Sequence, residues 1–135
     1  MDFEFTTEQK LLASTADRFL GDAYAWERRR RHLDGGAEAR AAMMRRFRDM
    51  GWSALFVGER NGGLGGGVVE AVILMEAVGR HLAVEPLLES FVVSARLIAH
   101  SDDQPLRTRL LRDLIASETF IPAWHEDAGY FLASG

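Results

Sequence analysis

Cysteine is absent from these 135 residues, which excludes disulfides, thiolate metal sites and a cysteine nucleophile at once. Lysine is nearly absent, since Lys10 stands alone beside fifteen arginines. A basic excess is missing too. The formal net charge is −4, whereas dedicated nucleic-acid-binding domains usually carry a clear positive balance. No apolar run approaches the roughly 18 residues that a membrane span needs. The opening Met1-Asp2-Phe3-Glu4-Phe5 lacks the basic stretch of a signal peptide. What is present, 47% hydrophobic and 27% charged residues, suits one globular domain. The expectation is a cytoplasmic protein with neither nucleic acid nor membrane as partner.

The pattern is helical. Thr6 and Gln9 have the spacing of a capping box, and Leu11, Leu12, Thr15, Ala16, Phe19 and Leu20 follow as a stripe. Tyr24 and Trp26 prolong that helix toward the arginine run 28–31, and Asp34-Gly35-Gly36 is a turn. A second helix spans about 37 to 50, with Met43, Met44, Phe47 and Met50 apolar and Gly51 at the C-cap position. Trp52 to Val57 is a short apolar stretch. Six glycines in the ten positions 58–67 require a loop. The run from Val68 to about Leu82 is apolar on most sides, as in a helix central to its bundle. Another helix covers 87–100, Ser101-Asp102-Asp103 caps the next, and Pro105 opens a last helix carrying Leu106, Leu110, Leu111, Leu114 and Ile115. Phe120 to Trp124 reads as extended, and Tyr130-Phe131-Leu132 as the start of a strand. The fold class is all-α: a bundle of about five or six helices over 1–121, cut at the start of a following β domain at 122–135. The apolar helices at 68–82 and 87–100 predict exposed core surface in this piece alone.

Few residues suggest chemistry by themselves. The run Gly62-Gly63-Leu64-Gly65-Gly66-Gly67 lacks both the G-x-G-x-x-G spacing and a Walker lysine, so chain reversal is the better reading. Arginines 28–31 suit phosphate or, more simply, a solvated face. His32, His81, His100 and His125 show no zinc-type pairing, and no metal is expected. No G-x-S-x-G marks a hydrolase. Glu76, inside an apolar helix, and Glu85, beside Pro86, leave a buried base open, although a wetted carboxylate is the simpler reading for either.

The order of segments says more. A Phe-x-x-Thr-x-Glu-Gln-x-x-Leu opening is followed by Phe47-x-Asp49-Met50-Gly51-Trp52. After these come the loop Val57-Gly58-Glu59-Arg60-Asn61-Gly62-Gly63-Leu64-Gly65 and Glu76-Ala77-Val78-Gly79-Arg80, with Leu114-Ile115-Ala116-Ser117-Glu118 near the end. This series resembles the N-terminal helical domain of flavin-dependent acyl-CoA dehydrogenases over nearly the whole chain. Gly58 stands where the family loop has proline, and Ala77 where it has a second glutamate. Trp26 with arginines 28–31, together with Leu82-Ala83-Val84-Glu85-Pro86-Leu87, is most similar to small subunits of pimeloyl-CoA-type dehydrogenases.

The resemblance implies α,β-dehydrogenation of an acyl-CoA thioester with FAD as hydride acceptor, in a homo- or hetero-oligomer. It places the catalytic base in a C-terminal helical domain and most flavin contacts in a middle β domain, so no carboxylate here is expected to be the base. Val84, Glu85 and Leu88 match the acyl-tunnel wall and are the candidate substrate-binding residues. Trp124 and His125 match the start of the middle domain and are the candidate FAD contacts. His125 replaces the family's threonine and Asp127 its proline, while Tyr130 and Phe131 stand at usual glycine and serine positions. Those departures motivate a second expectation, a non-catalytic helical partner subunit of a hetero-oligomeric dehydrogenase.

Overall fold

The computed structural model describes residues 4–123, and among them the secondary structure is helical with no strand. The first helix, α1 (Thr7–Ala23), starts at the expected capping box: Gln9 N–H donates to Thr6 Oγ1 at 3.2 Å, and Thr6 N–H donates to Gln9 Oε1 at 3.0 Å. Such a cap is worth about 1 kcal/mol. Its inner face is Ala16, Leu20 and Ala23. Leu11 is 65% exposed, because five residues before Ala16 lies well round the helix from that face.

The expected long first helix divides. It stops at Tyr24 and restarts as α2 (Trp26–Asp34), which buries no residue completely. Tyr24 turns inward to 6% exposure, leaving the arginines of α2 outside. Gly36, at φ +62°, makes the turn into α3 (Gly36–Asp49), a conformation that costs a side-chain-bearing residue. Gly51, at φ +79°, then separates α3 from the single turn α4 (Trp52–Leu55). The break inside the expected first helix and this extra turn bring the α-helices among the described residues to seven, in the expected all-α bundle. Phe47 stacks on Trp52 with centroids 5.2 Å apart, and Phe19 meets both rings edge-on. Aromatic pairs of this kind add about 0.5–1.5 kcal/mol each beyond the area they bury. They fix α1, α3 and α4 together.

The longest of the later helices are α5 (Val68–Arg80) and α7 (Gln104–Ala116), with α6 (Ala95–Ala99) between. α5 packs chiefly along α1. Glu70 ties the two: it accepts from the Gln9 side-chain amide at 2.8 Å and from Gly67 N–H at 2.7 Å. These bonds hold its carboxyl below the usual glutamate range, the Gln9 bond contributing most. The helix ends in a Schellman motif, Ala83 N–H to the Val78 carbonyl and Leu82 N–H to that of Gly79, with Leu82 at φ +52° where glycine is usual. The expected helix over 87–100 forms in two parts. Leu88–Ser94 is wound as a π-helix and runs directly into α6. As expected, Asp103 caps α7 by accepting from Leu106 N–H at 2.9 Å, and Pro105 sits in its first turn.

Leu20, Phe47, Leu74, Leu87, Phe91, Leu111 and Leu114 close the core at 1% exposure or less. Residues 120–123 join neither a helix nor a ladder. Tyr130, Phe131 and Leu132 lie outside the described residues. No described helix is long and apolar enough to cross a membrane.

Candidate functional site

α5 and the π-helical segment face each other across an apolar groove of about 450 Å³. Val68, Ala71, Val72 and Met75 line one side, at the i, i+3, i+4, i+7 spacing of a single helix face. Leu88 and Val92 line the other, Phe56 and Gly67 close one end, and Arg96 supplies the one charge among the lining residues. Val68, Val72 and Leu88 are 77%, 59% and 46% exposed. An uncovered apolar face of that kind marks a surface that another group covers.

The π-helical turn shapes this wall. Leu88 and Val92 line the groove from within this π-helical stretch, Leu88–Ser94, and such turns recur at functional sites. Buried Ser94 anchors it: the hydroxyl donates to the Glu89 carbonyl at 2.9 Å, with the Phe120 carbonyl at 3.1 Å as the alternative acceptor. Arg96 donates to the Gly66 carbonyl at 3.0 Å, which ties the glycine loop to the groove's edge.

Of the three residues expected at an acyl wall, Leu88 lines the groove and the other two do not. Val84 is exposed on the turn before Pro86. Glu85 points inward at 5% exposure. Its carboxylate accepts from the Tyr24 hydroxyl and pairs with His32 Nε2, so three polar groups from α1, α2 and this turn meet inside the fold. Burial pushes Glu85 up and His32 down, the latter helped by Arg40 and Arg29. Both shifts favour a pair that holds one proton between its members. Glu76 is the wetted carboxylate, bound to Arg80 at 2.6 Å on the surface. Sequence reading missed Val68, Ala71, Val72, Met75, Val92 and Arg96 as lining residues. For the four on α5 the signal was the continuous apolarity of that helix, while Val92 and Arg96 carried none.

Trp124 and His125 lie outside the described residues. The glycine loop does not fit a pyrophosphate, because its N–H groups are spent internally: Gly63 on Gly58, Leu64 on Ala54, Gly65 on Val57, Gly66 on Leu55 and Gly67 on Glu70. A phosphate cradle needs those donors free. Among the described residues, no group of three or more histidines and carboxylates is arranged to hold a metal. His32 is engaged by Glu85, His81 by Asp17 at 2.8 Å and His100 by the Arg96 carbonyl at 2.7 Å, while His125 lies outside the described residues.

Residues 6–118 match the family profile described as acyl-CoA dehydrogenase, N-terminal domain. Neither a curated protein nor a solved structure matches the chain.

Proposed function

The chain belongs to the family of acyl-CoA dehydrogenase N-terminal domains, and we propose that it is the N-terminal part of an FAD-dependent acyl-CoA dehydrogenase, forming a wall of the pocket that holds the acyl chain. The observation that carries this reading is the groove between α5 and the π-helical segment. Its surface is apolar, lined from two facing helical segments and left uncovered at Val68, Val72 and Leu88. Each methylene buried against such a wall gains about 0.8 kcal/mol, so the chain contributes affinity and chain-length preference. Val84 and Leu88 flank the turn that leads into this wall, and Glu85 supports it from beneath.

The dehydrogenation itself falls to groups beyond residues 4–123 in this reading. No carboxylate lines the groove, and the loop donors that a flavin pyrophosphate would need are occupied. FAD, when bound elsewhere in the oligomer, would supply the hydride acceptor, with Trp124 and His125 as the residues proposed to contact it; this chain's own residues hold the substrate. The same two observations favour a second reading, in which the chain is a helical partner subunit whose companion performs all of the chemistry. The narrower kinship to pimeloyl-CoA-type small subunits belongs with this second reading.

Anaerobic addition of an acyl-CoA series to the flavoprotein containing this chain tests both. The expected result is bleaching of the flavin's visible absorbance, with this chain in the same polypeptide as the flavin site. Bleaching that needs a separate, larger companion chain establishes the partner reading. No bleaching with any acyl-CoA, in a preparation saturated with FAD, contradicts both.

A further inference from the structure

Residues 26–49 hold eight arginines against four carboxylates, in a chain whose net charge is −4. The proposed acyl wall uses none of them. α2 and α3 bring part of this charge around a cleft of about 430 Å³ lined by Ala23, Arg28, Arg31, His32, Met43 and Arg46. Arg28 is already neutralised by Asp22 at 2.5 Å. Arg31 and Arg46 pair with no carboxylate among the described residues. The Arg31 Nε–H donates to the Glu27 carbonyl at 3.5 Å, which leaves its terminal nitrogens free of that contact. Arg46 lies over the Phe19 ring, 4.7 Å from its centroid, so its guanidinium is held at the cleft by that contact before anything binds. The remaining lining, Ala23 and Met43, is apolar and buried.

We propose that this cleft binds a small phosphorylated compound through its phosphoryl group, with the two unpaired guanidinium groups as its clamp. Planar guanidinium groups meet phosphoryl oxygens two at a time, and two of them match a dianion, whereas a single carboxylate is satisfied by one. The apolar strip of Ala23 and Met43 offers a surface for whatever organic body carries the phosphoryl group. His32 reports occupancy: its side chain lines the cleft while its Nε2 holds Glu85, so an anion beside it alters its ring environment. A polynucleotide is disfavoured, because residues outside 26–49 carry the chain's acidic excess.

The test is titration of the full chain with inorganic pyrophosphate and, separately, with adenosine monophosphate, read by calorimetry and by the His32 ring resonances. Saturable one-to-one binding is expected with at least one of them. Tighter binding of the nucleotide assigns an organic phosphate to the cleft, and tighter binding of pyrophosphate assigns the free anion. The double variant Arg31→Gln/Arg46→Gln, at exposed positions that leave the core untouched, should weaken binding by about tenfold or more. Arg109→Gln/Arg112→Gln removes the same charge outside the cleft and should change it by less than about twofold. Equal loss in both variants, no saturable binding, or stronger binding of a DNA duplex than of either probe would overturn the proposal.

Discussion

Gly63→Ala should lower the stability of the domain by about 3 kcal/mol or more, at the top of the range for overpacked positions. A Cβ at this position meets the Val57 carbonyl oxygen at 2.0 Å and the Val57 carbonyl carbon at 2.4 Å. Those are backbone atoms, so no rotamer change relieves the clash. The Val57 carbonyl is also the acceptor for Gly65 N–H, and moving it releases the loop that seats α5. Gly58 provides the contrast. It has open space around its Cβ position and φ −65°, ψ 148°, values proline adopts unstrained. Gly58→Pro, which restores the residue of the resembled pattern, should gain about 0.4–1 kcal/mol through the unfolded chain. Urea unfolding of the two variants measures both effects. A Gly63→Ala midpoint equal to that of the unsubstituted protein would show that the loop packs less closely than the structure has it.

Glu85→Ala should cost about 3 kcal/mol or more, because it leaves two buried polar groups without a partner at about 1–3 kcal/mol each. The Tyr24 hydroxyl and His32 Nε2 would both lose their hydrogen-bond partner in a site closed to water. Against a total stability of about 5–15 kcal/mol for a domain, that loss is severe. Glu85→Gln keeps an oxygen for Tyr24 and an amide N–H for neutral His32, and should cost about 1 kcal/mol. The pH dependence has a definite sign. Burial raises the Glu85 carboxyl in the folded state, so its contribution is present below the unfolded glutamate pKa and is lost as pH rises through the folded value. The stability of the unsubstituted protein relative to Glu85→Gln should therefore fall as pH rises above the ordinary glutamate range. Denaturant titrations of both proteins from mildly acidic to mildly alkaline pH would show this, and a difference that grows with pH would contradict the buried pair.

These two sites also show what the sequence could convey. Where a structural device uses neighbours in the chain, it was readable. The Thr6–Gln9 box, the Asp103 cap and Gly51 after α3 satisfy backbone groups within a few residues, and Pro105 in the first turn of α7 removes a donor that would have no partner there. The glycine loop was readable as a reversal because it lacked the spacing of a phosphate cradle, and its spent donors agree with that. The break between α1 and α2 was not readable, since Tyr24 leaves the helix to meet a carboxylate 61 residues later. Glu85 was ambiguous for the same reason, as its burial depends on partners from two other helices. The exposed apolar surface of 68–82 and 87–100 was legible, but which residues line the groove was hidden by a limit of periodicity. An α5 apolar on nearly every side looks like a helix surrounded by its own bundle, and pattern alone does not separate a face covered by protein from one that awaits another molecule. The π-helical winding at Leu88–Ser94 leaves no mark in residue type.

The central claim, that the wall between α5 and the π-helical segment holds the acyl chain, is tested most directly by photo-crosslinking. An acyl-CoA carrying a diazirine along its chain is bound to the flavoprotein containing this chain, irradiated, and the labelled peptides are mapped. The account predicts labels at residues 68–75 and 88–96, displaced by an excess of unlabelled acyl-CoA. Displaceable labels confined to other helices of this domain, or to other domains alone, would contradict it.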